Sequence, residues 1–386
     1  MNHRPVILSL FLLLSIPLCA QERKPWVLRV LRSVADYIDS SAVRGIDQRY
    51  IQVPEKPWAV MVKYHVNDMD MRSLSSMSEE HMTERGETGD FNWETVFQPR
   101  SESSIGAWIG YRGYGLGYSY SFRRSQGRNF SIGMTGANYG LNLRTRRFRT
   151  NQIDVNIWGH DEDGAFEFNN LPAQTWEDIK VKTGILDGFY MFNSKRFSYA
   201  AAYDQSTIQV RSAGSFMLGL MWFQTSLDYS ARQNALFIQS MGDIGRIKIH
   251  EGSIGVGYAY NWVPVRNLLI NVTAMPMVAL YNRTKIYRYD SNYDLFLKPD
   301  EVSPTGKKHV DYDLKWLDDI TIEETGTAVK YGKVSLNIDA RVSATYNMGR
   351  FFVNAYGQVN HYHNSIEGNT LKLTDWYVNA SLGYRF

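Results

Sequence analysis

Cysteine is almost missing from this chain of 386 residues: Cys19 is the only one, and it lies in a leader-like stretch. Once that stretch is removed, disulfides, thiolate metal sites and cysteine nucleophiles are excluded. An excess of charge of one sign is lacking as well. Lys and Arg number 42 against 39 Asp and Glu, a net of +3, with both signs intermixed, so there is no electrostatic footprint for nucleic acid and no such partner is expected. Long apolar runs are also scarce. Beyond Ala20 none approaches the roughly 20 residues of a helical membrane span, which excludes a bundle of membrane helices.

What is present begins with the leader. Arg4, an apolar run over 6–18 and the small residue Ala20 form the three-part pattern of a secretory signal, and cleavage after Ala20 is expected. A lipid anchor on Cys19 would need a small residue before it, where Leu18 stands. Next, Val27, Leu31, Val34 and Ile38 recur at helical spacing, with Arg29 and Arg32 off that stripe. Two readings stay open for this short amphipathic helix: it rests in the periplasm or at a barrel's lower rim, or it plugs the lumen.

The rest of the chain alternates. In 376–386 the even positions are Trp376, Val378, Ala380, Leu382, Tyr384 and Phe386, and the odd ones are polar or small apart from Tyr377. From Val334 to Tyr346 seven apolar positions alternate with six polar ones, among them Asp339 and Arg341. That is longer than a sandwich strand usually runs and suits the 9 to 11 residues of a tilted transmembrane strand. Tyr114, Leu116, Tyr118, Tyr120 and Phe122 alternate with Gly115, Gly117, Ser119 and Ser121, so one inner face is nearly free of side chains and leaves room for water or a plug.

Twelve strands are predicted, over 57–67, 99–111, 114–123, 129–136, 138–148, 178–192, 213–229, 250–263, 266–282, 332–347, 350–363 and 373–386, with ten or fourteen as alternatives. Short connections fall on one side, near 112–113, 136–137, 263–266 and 347–350. Long ones, near 68–98, 149–177, 230–249 and 283–331, fall on the other, as outer-membrane barrels require. The expected fold is all-β: a transmembrane antiparallel up-and-down β-barrel with a short N-terminal helical segment. The expected layout is a signal peptide at 1–20, a periplasmic segment at 21–56 and an outer-membrane barrel at 57–386.

Three stretches carry a family resemblance: Asp47, Tyr50, Ile51, Pro54 and Trp58; the run from Tyr111 through Arg112, Gly113 and Tyr114 to Tyr118; and Tyr190 to Asn193 with Phe197 to Ala201, ending in 211–215. In these the chain resembles the bacterial domain-of-unknown-function 4421 family, typical of Bacteroidetes, over nearly all of its mature length. Ala200 stands where relatives would be expected to carry proline. The resemblance implies an outer-membrane protein and supplies no catalytic residues.

Chemistry is sparse. His361 and His363 share a strand face with Ser365 following, the only hint of a lipid-directed hydrolase, and no motif fixes a serine against a histidine. Asp161, Glu162 and Asp163 form an acidic loop tip whose spacing is not that of a helix-loop-helix calcium loop. No catalytic residue, metal ligand or cofactor is therefore assigned. Lys63, Arg144, Asp339, Arg341, Asp375 and Arg385 should face the lumen, either constricting a water-filled pore or pairing to fill a narrow barrel. The 193–214 connection is long for a periplasmic turn, and Ser198, Tyr199, Gln205, Gln209 and Arg211 offer hydrogen bonds to a partner or to the lumen. Tyr384 and Phe386 form the expected assembly signal. The expected partners are outer-membrane lipid and, during insertion, the barrel-assembly machinery. Three roles follow: a small-solute channel, a structural or binding barrel with a filled lumen, and a lipid-directed hydrolase.

Overall fold

A computed structural model describes residues 26–77, 90–97, 102–122, 127–161, 164–295, 297–299, 301–310, 315–366 and 369–386. The expected signal peptide and the acidic residues Glu162 and Asp163 lie outside these. The chain forms two compact units, 1–40 and 41–386. Helix α1, Trp26–Val43, begins in the first of them.

The second unit is built on a closed ring of twelve antiparallel strands. In chain order they are β1 Trp58–Met77, β2 Glu102–Tyr111, β3 Tyr114–Ser121, β4 Arg128–Thr135, β5 Tyr139–Asp161 and β6 Gly164–Met191. There follow β7 Ala213–Asp228, β8 Ile244–Val265, β9 Leu268–Ser291, β10 Ser335–Met348, β11 Phe351–Ile366 and β12 Asn369–Arg385. Each pairs with its neighbours in sequence, and β12 pairs with β1 from Arg385 opposite Ala59 to Thr370 opposite Leu74, which closes the ring. Closure leaves no strand edge, the condition for burying a sheet in hydrocarbon.

The burial pattern is inverted relative to a soluble strand. Along β10 the polar residues Asn337, Asp339, Arg341, Ser343 and Thr345 are buried, while Leu336, Ile338, Val342 and Tyr346 are exposed. The same holds round the ring, where Val62, Ile109, Tyr118, Leu220, Val256, Val272, Val353 and Leu382 all face outward and exposed. An apolar surface this continuous is one that a bilayer covers, and the fold is a transmembrane β-barrel.

Local chemistry sets the turns. Arg112 and Gly113 both take positive φ, 52° and 93°, the geometry that lets a two-residue hairpin match strand twist. A Cβ at position 113 would come within 2.5 Å of the Thr135 carbonyl oxygen, so glycine is required there. The side carrying this turn also carries the short connections 266–267 and 349–350.

On the other side the expected long loop at 149–177 is instead a hairpin: β5 and β6 run on for 23 and 28 residues. Regular alternation is broken there by register shifts at 150–152 and 155–157, which hid the strands. An accessory strand, Asp90–Phe97, pairs with both β1 and β5 above the point where β2, β3 and β4 end. Another, Ile322–Tyr331, extends the sheet beyond β9.

The interior is not polar throughout, as alternation alone suggested. In the half toward the long connections, Met69, Phe148, Val181, Phe223, Met277, Tyr362 and Leu373 belong to one buried apolar cluster. It reaches across the ring: the Phe223 and Tyr362 rings stack at 4.3 Å, and Thr183 on β6 donates to Met69 Sδ on β1 at 3.9 Å.

Candidate functional site

The remaining interior, toward the short turns, is polar and partly filled from below. The connection between β6 and β7 does not stay at the rim. Helix α2, Tyr199–Tyr203, enters the ring with Ser198 as its N-cap, and Ser198 Oγ accepts from the Ala201 N–H at 3.2 Å. The following strand Ile208–Gln209 pairs with Ile51–Gln52 at the mouth.

The insert is bonded to the wall formed by β8 to β12. Tyr203 donates to Asn271 of β9 at 2.6 Å, Asn354 of β11 donates to the Ala202 carbonyl at 3.1 Å, and Arg385 of β12 donates to the Gln205 carbonyl at 2.9 Å. Gln209 receives Ser198 N–H and Asn261 of β8, both at 2.9 Å. Of the five residues expected to serve this segment, Ser198, Tyr199, Gln205 and Gln209 are buried in it, while Arg211 is exposed and packs over Tyr50 at 5.9 Å. The stretches that carried the family resemblance meet here: Asp47 N–H donates to Lys195 at 2.8 Å, Val210 N–H to Tyr50 at 2.9 Å, and Arg112 to Pro54 at 2.8 Å. Asp47 lies outside the spanning strands, and its bonds from Arg49 lower its carboxyl from 3.8 to about 2.

All six expected lumen residues lie on the inner face, and they divide by partner. Arg341 is held by Asp339 through Nε at 2.9 Å, by Asp187 at 3.1 Å, and by the Tyr199 hydroxyl of α2. Asp375 pairs with Arg146 at 3.2 Å. Arg385 binds the insert's backbone. Lys63 and Arg144 have no ion pair among the described residues. Lys63 lies 5.4 Å from the Trp108 ring, Arg144 stacks 4.8 Å over Tyr377, and Arg144 Nη2 is buried without a hydrogen-bond partner.

Lys63 and Arg144 both line a cavity of about 150 Å3 beside α2, with His65, Asn129, Tyr203 and Tyr377 around it. Its far wall is the side-chain-poor face read in the sequence. Gly117, Ser119 and Ser131 line it, and a Cβ at Gly117 would fall 2.5 Å from Ser131 Oγ. Chemically this is a pocket with two cations that form no ion pair among the described residues, suited to a small anion.

Sequence reasoning missed Asp187, Arg146 and Tyr203. Asp187 was legible as the polar member between Leu186 and Gly188. Tyr203 and Arg146 were not, because their roles depend on the insert and on a partner more than two hundred residues away. His361 Nδ1 lies 2.9 Å from Thr374 Oγ1, and the Ser365 side chain lies outside the described ones. Tyr384 packs on Phe351 at 4.9 Å, and Phe386 exchanges backbone bonds with Trp58 at 3.0 and 3.3 Å. Among the described residues no group of three or more His, Cys, Asp or Glu could hold a metal ion.

The family model described as "Domain of unknown function (DUF4421)" matches residues 46–386. A search of curated proteins finds no match. Among solved structures, the chain is similar to the outer membrane protease OmpT from Escherichia coli, at 8% identity and TM-score 0.33, over 86% of this chain and 97% of that one. It is similar to the outer membrane protein OprG from Pseudomonas aeruginosa at 10% identity and TM-score 0.26, over 87% and 98%. The β domain of the Bordetella autotransporter BrkA gives 11% and 0.28, over 86% and 100%.

Proposed function

The chain belongs to the domain of unknown function 4421 family, and from that premise we propose that it is an outer-membrane barrel with a closed lumen that binds without conducting. One observation carries this reading. The insert at 193–212 is bonded to β9, β11 and β12, and above it the apolar cluster packs from β1 to β6 and from β7 to β11. Its contacts between Phe223 and Tyr362 and between Thr183 and Met69 narrow the lumen above the insert. The closed ring, its apolar outer face and the short turns on one side support residence in the outer membrane, with the barrel-assembly machinery as the inserting partner. The occupant suited to the cavity between insert and cluster is a small anion facing Lys63 and Arg144.

Planar-bilayer recording of the refolded protein, residues 21–386, tests the reading. Inserted protein should give no discrete conductance steps. Reproducible single-channel steps would overturn it and make the lumen a pore.

A further inference from the structure

The outward face changes character abruptly near the long-connection end. One cross-strand row there is apolar: Ile132 of β4, Leu143 of β5, Leu186 of β6 and Trp222 of β7 lie side by side. Trp222 then stacks on Tyr281 of β9 at 5.4 Å. Two rows further along the same strands the register places Arg128 opposite Arg147, and Arg147 opposite Lys182. Across Ser226 the row continues to Lys248, which lies opposite Lys285. In the next row Arg149 faces Lys180.

Like charges directly opposite one another on a sheet repel and destabilise it. Here they recur in three adjacent pairs on β4 to β6 and again on β8 and β9. Among the described residues none of Arg128, Arg147, Arg149, Lys180, Lys182, Lys248 or Lys285 has an ion-pair partner. Three cations converge on a single ring, with Arg246 at 3.8 Å, Lys285 at 4.7 Å and Lys248 at 5.1 Å from Tyr287. The second row carries an acid, because Asp228 stands opposite Lys180 and Arg246, and Glu324 is taken by Arg246 at 3.0 Å. The row of Arg147, Lys182, Lys248 and Lys285 holds none.

The geometry points to a lipid site: the β4–β9 face binds a phosphate-bearing lipid of the outer leaflet, its acyl chains on the Leu143, Leu186 and Trp222 row and its phosphates on the Arg147, Lys182, Lys248 and Lys285 row. The inference rests on the outer-membrane reading. Guanidinium and ammonium groups are matched to phosphate oxygens. The apolar row two rows below distinguishes a lipid from a free anion, because only an amphipathic occupant covers both rows. The cations are solvent-facing, so the attraction weakens as salt rises.

The test is native mass spectrometry of the full mature chain released from detergent, offered an acylated glucosamine disaccharide with two phosphates and the same lipid dephosphorylated. Wild type should retain the phosphorylated form at least about tenfold better, a preference of about 1.4 kcal/mol. The combined Arg147→Gln, Lys182→Gln, Lys248→Gln, Lys285→Gln variant should lose that preference. The pair Arg147→Gln and Lys182→Gln alone serves if the fourfold variant does not fold. Equal retention of both lipids by wild type, or full preference in a folded variant, would overturn the site. Displacement of the lipid by equimolar inorganic phosphate would overturn the lipid in favour of a free anion. Failure of the protein to enter bilayers would instead sink the outer-membrane reading, so the two failures are told apart.

Discussion

At the scale of the residue, Arg341 shows how a charge is kept inside a membrane protein. It and its carboxylates are almost wholly buried, with side-chain exposures of 4% for Arg341, 0% for Asp339 and 3% for Asp187. Gln358 and Asn142 add donors to the two acids, each at 3.1 Å. Removing the cation leaves two buried carboxylates facing each other, so Arg341→Ala should cost about 3 to 5 kcal/mol, read as a lowered midpoint in denaturant unfolding from detergent. Arg341→Met should cost as much, because the loss lies in the stranded acids and not in packing volume. Asp339 and Arg341 were legible in the sequence as polar members of an alternating strand. Their bond to Asp187 and to Tyr199 was not, since alternation tells which face a residue takes and not what stands across the lumen.

At the scale of the element, the insert between β6 and β7 carries its own pH response. Asp204, at the end of α2 and outside the spanning strands, is pushed up from 3.8 to about 6 by burial, with hydrogen bonds from Ser206 opposing the rise. Lys63 is the cation facing it, and Arg385 approaches from β12. Because the folded value is the higher one, its stabilising contribution is full below about pH 4 and is lost as pH rises through about 6. The displacement corresponds to about 3 kcal/mol. Asp204→Asn should therefore raise the unfolding midpoint at pH 8 relative to wild type, with the gap shrinking toward pH 4. A gap that stays constant across that range would refute the assignment. The strands themselves were well marked by alternation, each of the twelve predicted segments overlapping one observed strand. The accessory strands Asp90–Phe97 and Ile322–Tyr331 escaped because each pairs with the long-side extension of a ring strand, where no bilayer imposes an apolar face. The insert was visible only as a connection too long for its side.

At the scale of the whole molecule, the barrel is filled in two different ways along its axis, by a polar insert near the short turns and by apolar packing near the long ones. Both fillings add cross-ring contacts, and the folded form should resist detergent at room temperature. Electrophoresis without boiling should show a band of altered mobility that converts to the unfolded position on heating. One unchanged band in folded, refolded and boiled samples would contradict a stable barrel.

The seam between β1 and β12 has a consequence for how such a molecule is made. Their sixteen-residue register, from Ala59 with Arg385 to Leu74 with Thr370, joins the two strands furthest apart in the chain. Every other pair around the ring can zip to a neighbour that precedes it, but this one waits for the twelfth strand. Until then two edges lie open, each with a row of unmet amide and carbonyl groups that hydrocarbon penalises. Maturation is thus a gate with a single latch, and an unfinished chain is kept out of the bilayer by the same hydrogen bonds that hold the finished one in it.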